Sequence, residues 1–152
     1  MGSPYHYFAY MVKGTAKIIS NDKTVFIKEG DLFYIPKNTC YQSYWYGDDE
    51  ITFFSYGCNN LLADDTNFLD LQIIEAPSQM AIELTSIPTN GTNVQTKEIG
   101  SFFSAVANLL PYMKKLPVSS ANLALIKAKK YLSIKPNCSN AQLAEACKIS
   151  IP

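Results

Sequence analysis

Along the first third of the chain, apolar and polar positions change over short runs separated by small polar turns. Residues 5–12 (YHYFAYMV) have the aromatic and β-branched composition of a strand, Lys13-Gly14 turns the chain, and Thr15–Ser20 reads as a second strand. Asn21-Asp22 precedes a third over 24–28. The stretch 25–45, VFIKEGDLFYIPKNTCYQSYW, continues with a turn at Glu29-Gly30-Asp31, another apolar strand, a break at Pro36-Lys37-Asn38 and a strand dense in Tyr and Trp. Gly47-Asp48-Asp49 then turns into 51–56. Six short strands at this spacing predict an antiparallel sandwich or barrel. Of the 19 aromatic residues, 14 lie before residue 59, which suits a small barrel whose strands meet apolar surroundings on both sides.

Further on, 59–67 is polar and loop-like, 69–76 offers one more strand, and 77–91 reads as extended or irregular. The period then becomes helical: Ile99, Phe102, Phe103, Val106, Leu109, Leu110 and Met113 form one apolar stripe, and Pro111 predicts an end or kink near Leu110. A stripe this wide suits a helix packed on its own strands or one that pairs with a second copy. Leu116-Pro117 and Ser119-Ser120 read as a linker, and 121–134 as a lysine-rich helix stopped by Pro136. Ser139 and Gln142 have capping-box spacing, which starts a short helix over 141–147, and Ser150 is placed to cap another.

Composition narrows the classes. With 47% apolar and 17% charged residues the chain is neither disordered nor membranous, since no apolar run approaches the ~20 residues of a membrane span. The absence of a basic, apolar leader leads to the expectation of a cytoplasmic protein. Cys40, Cys58, Cys138 and Cys147 form no CxxC pair and read as reduced packing thiols. All 13 basic residues are Lys, so bidentate arginine contacts to guanine or carboxylates are not available. Between 121 and 148, Lys127, Lys129, Lys130, Lys135 and Lys148 face Glu145 alone, which makes this segment locally basic.

Gly30, Pro36, Asn38 and Tyr41 stand at the spacing of the second cupin motif, Gly-X5-Pro-X-Gly-X2-His, and that stretch resembles it. Two of the four fixed positions are kept. Asn38 replaces a Gly but tolerates a left-handed backbone, whereas Tyr41 replaces a metal-binding His. In the first motif, counting back from Gly14 puts Tyr7 at the Glu ligand position and leaves His6, the only histidine, out of phase. A catalytic cupin needs an open site of two or three His with a carboxylate, so no metal and no cofactor are expected, and His6 reads as an exposed or hydrogen-bonded strand residue. No phosphate loop, nucleophile elbow or Cys-His pair is present in the sequence.

The run AKKYLSIKPNCSNAQLAEACKIS resembles the opening of the DNA-binding domain of AraC-type transcription regulators, with Ala128 and Tyr131-Leu132 in a first helix and Leu143-Ala144 in the first helix of a helix-turn-helix. That family places a cupin-like effector barrel first, a dimerisation helix second and the DNA-binding domain last. The resemblance therefore implies a mainly β, cupin-like barrel (double-stranded β-helix) followed by α-helices, α+β overall. Its domains would be a barrel over 1–90, a dimerisation helix and linker over 91–117, and an incomplete helix-turn-helix domain over 118–152, with the recognition helix due to begin at Ser150.

If the motifs are in phase, odd-numbered strand residues face the barrel interior: Tyr7, Ala9, Met11, Tyr41, Ser43, Trp45 and Phe53. Aromatic faces with a few hydroxyls suit a neutral, hydroxylated small molecule such as a sugar, although the same side chains would also fill a core. The implied protein is a non-enzymatic, effector-binding and dimerising part of a regulator. Tyr7, Met11, Tyr41, Ser43, Trp45 and Phe53 would line the effector pocket, and Ile99, Phe102, Phe103, Val106 and Leu110 would form a homodimer. Lys127, Lys130 and Lys148 would contact DNA phosphates, and only in a full-length parent; no membrane partner is expected. The alternative is a stand-alone cupin enzyme of sugar isomerase or dioxygenase type, against which the missing metal ligands count.

Overall fold

The computed structural model describes residues 2–20, 23–61, 67–88, 94–117 and 119–149. The chain divides into two compact units, residues 1–62 with 69–114, and 63–68 with 115–152. In the first, β1 (His6–Lys13), β4 (Leu32–Ile35), β6 (Thr52–Cys58) and β8 (Gln72–Ile73) form one sheet in the order β6-β1-β4-β8. A second sheet runs β3-β2-β5, from β2 (Thr15–Ser20), β3 (Lys23–Ile27) and β5 (Tyr41–Tyr46), and every pairing in both sheets is antiparallel.

The alternation along β1 explains the layering. Ala9 and Met11 point into a core shared with Ala16 and Ile18 of β2, Val25 and Ile27 of β3, and Phe33 and Ile35 of β4, so the two sheets pack face to face. Phe8 points the other way, with Leu32 and Tyr34, onto helices α1 (Ser78–Thr85) and α2 (Thr96–Leu109). Each large side chain fully buried this way contributes about 1.5 to 3 kcal/mol.

The cupin-like barrel is not what forms. Among the described residues of the first unit, β1 to β6 and β8 make two open sheets with no ladder joining them, so this unit is a sandwich with helices on one face. The reason lies at the edges. The chain crosses from β5 in one sheet to β6 in the other through 47–51, and neither strand pairs across that gap. At the far side β8 is only two residues long, and the side chains of Lys23 and Asp70 meet there in an ion pair in place of a backbone ladder.

Other elements differ in detail. The expected strand over 69–76 is replaced by β7 (Asn67–Leu69) and β8, and within β8 Gln72 is buried and exchanges two hydrogen bonds with the Lys114 backbone: its Nε2 donates to Lys114 O at 3.0 Å, and Lys114 N donates to its Oε1 at 2.6 Å. The segment 77–91, expected to be irregular, contains α1, which starts at Pro77 as N-cap and buries Leu84 in the core. Pro and Ser on either side had masked its short apolar face. As expected, α2 ends beside Pro111, passing into a 3-10 turn over Leu110–Tyr112.

In the second unit, β7 pairs with β9 (Lys115–Pro117), where a linker was expected, and α3 (Ser120–Ile134) leads to α4 (Asn140–Cys147). Ser139 caps α4 reciprocally: its Oγ accepts from Gln142 N at 3.3 Å while its own N–H donates to Gln142 Oε1 at 3.0 Å. Lys148 closes the helix in the left-handed conformation, φ 57°, with Ile149 N–H reaching Ala144 O. Ser150 lies outside the described residues. Among the described residues no helix is long and apolar enough to cross a membrane.

Candidate functional site

The open gap between β5 and β6 gathers the side chains of interest. Antiparallel register sets Met11 opposite Phe53 and Ala9 opposite Ser55 in one sheet, and Trp45 opposite Ala16 and Ser43 opposite Ile18 in the other. Trp45 and Phe53 stack across the gap, with centroids 4.6 Å apart and planes 24° from parallel. The indole N–H of Trp45 donates to Ser43 Oγ at 3.0 Å, which fixes the ring orientation. Phe53 is 44% exposed and Ser43 is also exposed, whereas Met11 is fully buried and serves as floor.

Tyr7 and Tyr41 extend the same face. Burial, followed by the neighbouring Tyr7, raises the Tyr41 pKa above the ordinary phenol value, so its hydroxyl stays a neutral donor and acceptor. Tyr5 meets Tyr7 edge to face at 6.0 Å. Gly57 makes room for this pair, because a Cβ there would lie 3.1 Å from Tyr7 Cε1. Of the six residues expected to line an effector pocket, Ser43, Trp45 and Phe53 meet at the seam, Met11 is buried in the core beneath Trp45, and Tyr7 and Tyr41 neighbour each other. Ser55, also exposed, joins the seam; the alternation that placed Phe53 would have placed it too.

His6 lies on the other face of β1. Its Nδ1 accepts from the Lys37 backbone N–H at 3.3 Å and from the Tyr34 hydroxyl at 2.7 Å, and burial and then the Lys37 charge lower its pKa below 6.5. Nothing in the local sequence marks Tyr34 as its partner, since the two are brought together by the β1–β4 pairing. Among the described residues no three His, Cys, Asp or Glu side chains are grouped to hold a metal ion. Cys58 and Cys147 are buried, Cys40 is exposed, and all four thiols are free.

The α2 stripe serves two surfaces. Phe102 and Val106 are buried against the first sheet, Leu110 is half-buried, and Ile99 and Phe103 are 46% and 45% exposed. On the second unit, Lys130 and Lys148 are exposed and Lys127 is half-buried.

Cavities also border other parts of the first unit. One of about 850 Å³ is bordered by Lys17, Phe26, Lys28, Asp31 and Tyr46, and one of about 320 Å³ lies between β6 and α2. Comparison with protein-family models, curated proteins and solved structures finds no match for this chain.

Proposed function

We propose that the chain is the effector-binding and dimerising part of an AraC-type transcription regulator, with its sensing unit built as an open two-sheet sandwich. The observation that carries the reading is the second unit: α3, then a Ser139-capped α4, then a left-handed residue at Lys148 where a helix-turn-helix makes its turn. The sequence resemblance falls on these same residues. The order of a two-sheet unit, an amphipathic α2 with exposed Ile99 and Phe103, and a lysine-bearing helical unit adds support.

In this reading the seam takes a neutral, hydroxylated small molecule, a sugar being the type case. The C–H face of such a molecule stacks on Trp45 and Phe53, and Ser43 and Tyr41 orient its hydroxyls. The exposed Lys130 and Lys148, with Lys127, contact phosphates in a full-length parent, an interaction that positions without reading sequence.

Trp45 is the only tryptophan, so its fluorescence reports the seam directly. A panel of neutral sugars and polyols titrated against the chain is expected to give a saturable change for at least one member. Phe53→Ala keeps the reporter and should abolish that change. A panel without saturable change, or a change that Phe53→Ala leaves intact, overturns the seam as the effector site.

A further inference from the structure

The alternation that sends Ala16, Ile18, Val25 and Ile27 into the core sends Lys17, Phe26, Tyr44 and Tyr46 to the outer face of the second sheet. Three rings on that face are left in water: Phe26 is 67% exposed, Tyr46 55% and Tyr44 45%. Register sets Phe26 and Tyr44 on either side of Lys17, with Tyr46 beside Thr15 one row along. Adjacent strands lie about 4.8 Å apart, so β3 and β5 flank β2 at a separation of roughly 10 Å. A cavity of about 850 Å³, within the range of small-ligand sites, is bordered there by Phe26 and Tyr46. Lys17 is half-buried and holds its Nζ over the Phe26 ring, 5.5 Å from the centroid. An ammonium has three N–H donors, and contact with one ring face leaves donors for a ligand. The ion pairs of the described residues use Lys13, Lys23 and Lys114, not Lys17 or Lys28. Lys28 borders the same cavity, and among the described residues around it Asp31 alone is acidic, so two positive charges meet one negative. The Asp31 carboxylate is tied into the β3–β4 turn, where its Oδ2 accepts from Lys28 N at 2.9 Å. The acidic residues of the 47–51 crossing border a different cavity, and Glu50 pairs with Lys13 at 3.7 Å.

Exposed rings favour a flat apolar body by stacking, and a lysine outside any ion pair favours a negative group on that body. A neutral sugar would leave the lysine charge unanswered, and an ammonium compound would meet both lysines as like charges. The one positive charge in excess matches a monoanion better than a doubly charged phosphate. We infer that this cavity is a second binding site, which takes a small planar aromatic carboxylate. The ring system lies between Phe26 and Tyr46, and the carboxylate meets the Lys17 ammonium. The site depends neither on the seam nor on the regulator reading, because its side chains leave the opposite face of the sheet from Ser43 and Trp45.

The probes are 2-naphthoate, its neutral counterpart 2-naphthamide and the non-aromatic cyclohexanecarboxylate, in amide-resolved NMR titrations of the whole chain near neutral pH. Saturable shifts are expected at Lys17, Phe26, Lys28 and Tyr46, with 2-naphthoate binding about tenfold more tightly than either comparison probe. Lys17→Gln should remove the preference for the carboxylate over the amide, and Phe26→Ala should weaken both naphthyl probes. Neither position belongs to the inner layer of the sandwich, so both variants are expected to fold. Equal binding of 2-naphthoate and 2-naphthamide by the natural chain overturns the inference, as do shifts centred on Phe53 and Ser55. An oligothymidylate that binds at these residues where 2-naphthoate does not would assign the face to single-stranded nucleic acid and overturn it too. So would shifts there that depend on protein concentration alone, which belong to a second copy. If a variant fails to fold, the three probes on the natural chain decide by themselves.

Discussion

At the scale of single residues, the chain reaches its conformation through side chains whose chemistry matches their place. Asn38 adopts φ 67°, the left-handed conformation that the sequence allowed for it, and Gly14 and Gly30 take φ 94° and 88° at their turns. His6 is the residue from which a pH effect follows. Its lowered pKa means that the folded chain resists protonation there more than the unfolded chain does, because burial and then the Lys37 charge disfavour the imidazolium. The unfolded state therefore binds more protons once the pH falls below 6.5. Stability that is fully present above that value should be lost as the pH drops through the folded pKa. Denaturant melts across this window should show the decline, and His6→Gln, which cannot titrate, should flatten it. An unchanged slope in the variant would assign the acid sensitivity to other groups. None of this was legible in the sequence beyond the phase of His6 in its strand, because Tyr34 and Lys37 reach it only through the pairing of β1 with β4.

At the scale of elements, what the sequence made legible was local. The alternation of strand residues assigned Tyr7, Met11, Tyr41, Ser43, Trp45 and Phe53 to one face, a property set by the two-residue period. Which edges close on which is set by pairings between distant strands, and a two-residue β8 cannot be read from composition. The barrel expectation failed at that point. Pro111 and the Ser139–Gln142 box were legible for the same local reason, since each acts within a turn of helix. The burial of Glu98 was not, because it follows from α2 packing on β6 and from a Gln at the N-cap, which is not a favoured capping residue. The α4 cap yields a direct test. Ser139→Ala removes the acceptor for Gln142 N–H and should cost about 1 kcal/mol, read as reduced hydrogen-exchange protection of the α4 amides. Lys148→Gly relieves a left-handed non-glycine residue and should raise the same protection. If both substitutions leave exchange unchanged, α4 is held by its buried Ala144 and Cys147 and not by its ends.

At the scale of the whole molecule, the balance of charge and the distribution of apolar surface bear on association. The 13 basic and 13 acidic residues cancel, so no net charge opposes the approach of a second copy. On α2, Phe102 and Val106 are committed to the internal core, while Ile99 and Phe103 on the same helix keep nearly half of their surface in water. The proposed homodimer uses this outer part of the stripe in an isologous contact, in which α2 of one copy meets α2 of the other. Sedimentation of the natural chain should then give about twice the 16.9 kDa chain mass at high concentration. Phe103→Glu places a charge on the exposed part of the helix, where a monomer tolerates it, and should yield a folded monomer. Phe102→Glu buries a charge against the first sheet and should unfold the unit whatever its oligomeric state. The two variants together separate interface from core. A Phe103→Glu chain that sediments like the natural one would show that Ile99 and Phe103 hold no second copy, and that α2 serves its own sandwich alone.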